Sequence, residues 1–103
     1  MSRLEKLQQF LADDPNDSFT RYAIGLEYAK DANYPEAIRT LEELRARDPA
    51  YVPTYYMLGE YYREINDTTK AKASFEEGIL KARAANNLHA ASELQAALDE
   101  LED

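Results

Sequence analysis

Displacing this 103-residue chain along itself by 34 positions brings its punctuation into register. Pro15 falls on Pro49, Tyr22 on Tyr56, Gly25 on Gly59, Tyr28 on Tyr62 and Ala37 on Ala71. Ile24 meets Leu58 and Leu41 meets Phe75, so apolar character agrees where identity does not. A period of this length marks a helical repeat array, in which a single unit cannot bury its own apolar face and must stack on the next. Such a stack implies a class of function, the docking of another chain.

The apolar spacing predicts about six helices. Leu4, Leu7 and Leu11, with Phe10 beside them, recur at helical spacing over Ser2–Ala12. Asp13-Asp14-Pro15 stops that run, because the residue before a proline is pushed out of the α region. Asn16 or Asp17 then caps a second helix, which carries Tyr22, Ile24, Gly25 and Tyr28 to about Asp31. Asn33 caps the third, with Glu36 completing a capping box and Pro35 in the first turn. Its apolar face is Tyr34, Ala37, Ile38, Leu41 and Leu44. Arg39 with Glu43, and Glu43 with Arg47, are spaced to pair for about 0.2–0.5 kcal/mol each. A fourth helix runs from about Tyr51 to Ile65, with Pro53 in its first turn. The fifth, capped by Asp67, carries Ala71, Phe75 and Ile79 to about Ala84. After Asn86-Asn87 the last helix presents Leu88, Ala91, Leu94, Leu98 and Leu101. Connections this short make successive helices antiparallel neighbours.

The repeated positions have packing reasons. A glycine inside a helix costs about 1 kcal/mol against alanine, so Gly25 and Gly59 at one register predict two close helix approaches. A side chain of the partner helix should fill the space of the missing Cβ, with Ala37 and Ala71 as the small surfaces facing the glycines. Tyr28 and Tyr62 lie on the same face, and Leu41 and Phe75 fill the space between layers.

Composition narrows the function. The chain has no cysteine, which excludes disulfides and thiolate metal sites. No apolar run approaches the roughly 18 residues that span a bilayer. The opening Met1-Ser2-Arg3-Leu4-Glu5-Lys6 lacks the apolar stretch of a signal peptide, so a cytoplasmic setting is expected. A net charge of −8 argues against nucleic acid and anionic membrane surfaces as partners. The acidic excess fits solubility, a basic partner or a high-salt cytoplasm.

No convergent catalytic set is visible, and neither enzyme activity nor a cofactor or metal is expected. His89 is the only histidine, read as a surface or half-buried helix residue, with no second His or Cys to share a metal. Glu42-Glu43 and Glu76-Glu77 recur at the repeat spacing and read as solvated helix exteriors. There is no glycine-rich phosphate loop and no EF-hand pattern.

Ile24-Gly25-x-x-Tyr28…Ala37…Leu41…Pro49, followed by Leu58-Gly59-x-x-Tyr62…Ala71…Phe75, resembles the tetratricopeptide repeat (TPR) family. The resemblance implies an all-α, TPR-type α-solenoid of about six antiparallel helices in one domain. Residues 1–14 would be the second half of a truncated unit, 18–48 and 52–83 the two repeats, and 87–101 a capping helix. Its outer end would be Asp99, Glu100, Glu102 and Asp103. Departures are visible. The large aromatic that often opens such repeats is Arg21 in the first unit and Tyr55 in the second. The second unit has Arg83 where the closing proline belongs, and Gly78 at a position that is usually small or apolar.

In such proteins the first helix of each pair lines a concave face, and the register of Tyr22 and Tyr56 points into it. The resemblance therefore implies a partner-binding groove of Tyr22 and Tyr56, then Leu26 and Glu60, then Lys30 and Arg63, with Phe19 and Pro53 at its edge. A rigid tyrosine there is the kind of contact enriched at binding hot spots. Tyr28, Tyr55 and Tyr62 are read instead as packing. Some TPR domains grip the C-terminal carboxylate of a chaperone tail with Lys and Asn at these registers. Here Tyr22, Ala23, Leu26, Tyr56, Met57 and Glu60 supply no suitable donor, and a chaperone tail is not expected. The implied function is a non-catalytic module binding a neutral or basic peptide or protein. The alternative is an assembly protein that forms a homodimer through its helical end faces.

Overall fold

The computed structural model describes residues 1–102, which form α1 (Arg3–Asp13), α2 (Ser18–Lys30), α3 (Tyr34–Arg47), α4 (Pro53–Glu64), α5 (Thr68–Ala84) and α6 (Leu88–Glu102). Asp103, expected at the acidic outer end, lies outside the described residues. Most helices begin where a side chain accepts from a free backbone N–H. Asp17 accepts from Thr20, Asn33 from Glu36, Asp67 from Lys70 and Asn87 from Ala90. The reciprocal capping box is at Ser2 and Glu5 (3.1 and 3.2 Å), not at Asn33 and Glu36. The Glu36 carboxylate is taken instead by Arg39, whose guanidinium donates to it at 2.7 and 3.1 Å. That contact also turns Arg39 away from the expected Glu43, which pairs with Arg47 at 3.3 Å and Arg21 at 3.4 Å.

Two kinds of turn connect the helices. After α2, α4 and α5 the chain enters the left-handed region at Ala32, Asn66 and Asn86, with φ of 57°, 63° and 56°. In each case the next residue (Asn33, Asp67 or Asn87) donates its backbone N–H to a carbonyl five residues back, on Tyr28, Tyr62 or Ala82. This is the Schellman arrangement. Its last residue also caps the following helix, so a single residue closes one helix and opens the next. The α1–α2 and α3–α4 turns differ: Asp14 and Asp48 donate back to Phe10 and Leu44, and Pro15 or Pro49 follows.

Each helix packs on its neighbours in sequence, with α2 also touching α4. The result is an elongated stack of 42 × 29 × 19 Å. Gly25 and Gly59 mark close approaches, as their spacing predicts, but the alanines do not fill them. A Cβ on Gly25 would lie 2.7 Å from Cδ2 of Leu41, and one on Gly59 would lie 2.2 Å from Cε1 of Phe75. Leu41 and Phe75 thus occupy the glycine notches. Ala37 and Ala71, one turn earlier and fully buried, let the helix backbones come close enough for that. Gly78 has the same logic, since its Cβ would meet that of Tyr55 at 2.5 Å.

Arg21 and Tyr55, which look like a mismatch in the sequence, do one job. The buried Arg21 guanidinium donates to the Pro15 carbonyl at 2.7 Å, and the Tyr55 hydroxyl donates to the Pro49 carbonyl at 2.5 Å. Each fastens a helix to the proline turn that precedes it. Thr20 and Thr54, also at one register, are not equivalent. Thr20 donates its hydroxyl to Asp17 at 2.8 Å, whereas Tyr51 stands in the aspartate's place ahead of Thr54. The Thr54 hydroxyl is fully buried and has no partner among the described residues. On the opposite side, Glu42 and Glu77 are not simply solvated. Arg45 bridges them at 2.9 and 2.8 Å, and Glu42 also accepts from the Tyr62 hydroxyl.

Candidate protein-interaction groove

The first helices of successive pairs, α2, α4 and then α6, carry side chains of one register to a common face. Tyr22 and Tyr56 stand on it. They line a hollow of about 310 Å³ together with Val52, Pro53 and Met57. Its far wall comes from α6 and the residue before it, through Asn87, His89, Ala90, Glu93 and Leu94. A second hollow of about 290 Å³ lies between α1 and α2, lined by Phe19, Tyr22, Ala23 and Leu26 with Arg3, Glu27 and Lys30. Tyr22 belongs to both and so stands between the two hollows.

Both tyrosine rings are held by neighbours. Tyr22 lies against Tyr51 with ring centroids 5.8 Å apart at 59°, and Tyr56 against Phe75 at 6.1 Å and 53°. Tyr56 nevertheless remains 38% exposed and Tyr22 is half-buried. Burial raises both phenols above the ordinary tyrosine value. Tyr51 adds to the rise at Tyr22, and Glu60, Glu93 and Glu100 add to it at Tyr56, opposed by Arg63. Both therefore stay neutral near pH 7, able to donate and accept.

Of the residues expected in the groove, Phe19, Leu26 and Lys30 meet Tyr22 in the second hollow, and Pro53 meets Tyr56 in the first. Phe19 is 67% exposed. Glu60 and Arg63 line neither hollow. Arg63 reaches α6 instead, binding Glu100 at 3.3 Å, while Glu60 acts on the Tyr56 phenol through its charge.

The wall given by α6 is the part that sequence reasoning missed. Read only as a cap, α6 has no assigned role in the groove. Yet Ala90 lies 34 residues past Tyr56, and Asn87 34 past Pro53, so the repeat register already pointed there. His89 is exposed, and its Nε2 lies 3.3 Å from a Glu93 carboxylate oxygen, an ion pair when the imidazole is protonated. Among the described residues no group of three or more His, Cys, Asp or Glu is placed to hold a metal ion. No helix among them is long and apolar enough to cross a membrane.

A family model described as tetratricopeptide repeat matches residues 52–80. The solution structure of a tetratricopeptide repeat domain protein from Salinibacter ruber is 42% identical to the chain. The two superpose with a TM-score of 0.82 over 86% of this chain and 90% of that one. A protein from Bordetella parapertussis shares the fold at 24% identity, with a TM-score of 0.85 over 99% of this chain and 89% of that one. Among curated proteins, Superkiller protein 3 of Schizosaccharomyces pombe is 33% identical over 64 residues. Those residues are 61% of this chain and 5% of that protein's length.

Proposed function

The chain belongs to the tetratricopeptide repeat family, whose members are generally protein–protein interaction modules, and on that premise we propose that it docks a peptide segment or partner protein in the groove centred on Tyr22 and Tyr56. The observation that carries this reading is the pair of tyrosines. They recur at one register, line one hollow together, with Tyr22 also lining the second, and are each held by a second aromatic ring. Rings fixed in this way lose little conformational freedom on contact, which is why such residues dominate binding energy. Members of the family are typically non-catalytic, and no Ser, Thr or Cys nucleophile lines either hollow. The absence of an amide or cation at the Tyr22 and Tyr56 registers supports a partner other than a chaperone C-terminal carboxylate. The proposed setting is cytoplasmic.

The test is Tyr22→Ala combined with Tyr56→Ala. The double variant should lose the partner in pull-downs while its circular dichroism remains helical. An unchanged partner set at unchanged stability refutes the groove.

A second reading, self-association through an end face, is supported by α1. Phe10 there is 59% exposed, whereas Leu44, 34 residues on, is 1% exposed. An apolar face covered in the middle of the array is open at its end. Light scattering across a dilution series tests this, and a strict monomer excludes it.

A further inference from the structure

The two ends of the groove carry opposite charge. At the α1–α2 end, Arg3 and Lys30 share one carboxylate, with Arg3 Nε 3.2 Å and Lys30 Nζ 3.3 Å from the oxygens of Glu27. The Glu27 side chain is largely buried and both cations are exposed, which leaves one positive charge in excess at the surface. At the α4–α6 end the balance reverses. Glu93 lines the hollow, and no Lys or Arg does. His89 offsets Glu93 only when protonated. One carboxylate is left over. Between the ends lie the apolar faces of Tyr22 and Leu26.

We propose that the groove takes an extended peptide segment with a basic side chain at the α4–α6 end, an apolar residue over Tyr22 and Leu26, and an acidic side chain at the α1–α2 end. This deepens the docking reading and rests on it. A uniformly basic segment is drawn by the net charge of −8 but meets Arg3 and Lys30 at one end. A uniformly acidic one meets Glu93 at the other. A segment of mixed charge satisfies both ends and has one orientation, since charge complementarity sets register and excludes wrong partners more than it adds affinity. The exposed face of Tyr56 supports the basic end further, because a cation over an aromatic ring is attracted by the ring's electron density.

The experiment is selection of short random peptides displayed on phage against the full chain and three variants of it: Glu93→Lys, Lys30→Glu, and Tyr22→Ala with Tyr56→Ala. Enriched sequences should place a basic and an acidic side chain on opposite sides of an apolar residue. A selected peptide should bind Glu93→Lys about fivefold more weakly, and a peptide with the basic residue made acidic should recover that loss. Lys30→Glu should do the same for the acidic residue. Enriched peptides without opposite charges, or equal affinity for both charge variants, overturn the charge pattern while leaving the docking reading intact. No enrichment above the double tyrosine variant overturns both. If the free protein dimerises and the tyrosine variant abolishes the dimer, the occupant is a second copy and the peptide inference falls.

Discussion

Replacing Thr54 by valine should stabilise this protein, although the side chain is fully buried. The Thr54 hydroxyl has no hydrogen-bond partner among the described residues, and a buried polar group in that state costs about 1–3 kcal/mol in lost hydration. Valine has nearly the same shape and the same helix propensity, so the exchange removes the penalty without a cavity. Taking the lower part of the range, the gain is about 1 kcal/mol, or roughly 4–8 °C in Tm for a domain of this size. Thr20→Val is the internal control. It occupies the same register but removes a hydroxyl that donates to Asp17 at 2.8 Å, at a cost of about 0.5–1.5 kcal/mol. Urea unfolding followed by circular dichroism reads both, with an unchanged m-value showing that the unfolded ensemble is the same. The two substitutions should differ by about 2 kcal/mol with opposite signs, the sum of the two effects above. If Thr54→Val destabilises the fold as much as Thr20→Val does, the hydroxyl is satisfied in solution and the reasoning fails.

Gly59→Ala should destabilise by about 1–3 kcal/mol, because its Cβ meets the rigid, fully buried ring of Phe75 at 2.2 Å. Gly25→Ala should cost less than Gly59→Ala. Its Cβ meets Cδ2 and Cγ of the fully buried Leu41 at 2.7 and 2.9 Å, a smaller overlap than at Gly59, and the helix propensity of alanine returns about 1 kcal/mol. Equal costs in urea titrations would contradict this ranking. Ala32→Gly should raise stability by about 1 kcal/mol, since φ there is 57°, and Asn66→Gly should gain less because asparagine tolerates that region. Thermal melts of the two variants compare them directly. Alkaline titration supplies another check. Burial, then Glu77, pushes Tyr55 up to about 12, and burial, then Tyr22 and Tyr34, does the same to Tyr61. Both lie above the unfolded value of 10.0, so their contribution is complete below pH 10 and is lost as pH rises through about 12. Phenolate absorbance from these residues and loss of helical signal should coincide. Ionisation near pH 10 with intact helices would be the contrary result.

The helices were legible because their signals are local. Prolines, capping residues and apolar spacing act within a turn or two, and they bring the boundaries close to those observed. The 34-residue register located Tyr22 and Tyr56 on a common face for the same reason. What escaped depends on atoms that a register does not specify. A guanidinium and a phenol look unlike each other in sequence, yet Arg21 and Tyr55 reach the same carbonyl position. The choice of Arg39 over the Asn33 backbone by Glu36 was a competition between two acceptable partners, decided by rotamer. The α6 wall was hidden because Ala90 does not resemble Tyr56, although it takes the same place.

Packing restricted to sequence neighbours has a kinetic consequence. Contacts in this stack join residues close along the chain, so little loop entropy is lost before they form, and folding should be rapid. It can start in any adjacent pair of helices and spread outward by nearest-neighbour steps. Release runs the other way, from the ends. The helix with the least hold is α1, which contributes one buried side chain, Leu7. Amide protons there should exchange earliest, and the α1–α2 half of the groove hangs on that helix, while the α4–α6 half rests on a terminal helix that buries four side chains, Ala91, Leu94, Ala97 and Leu98.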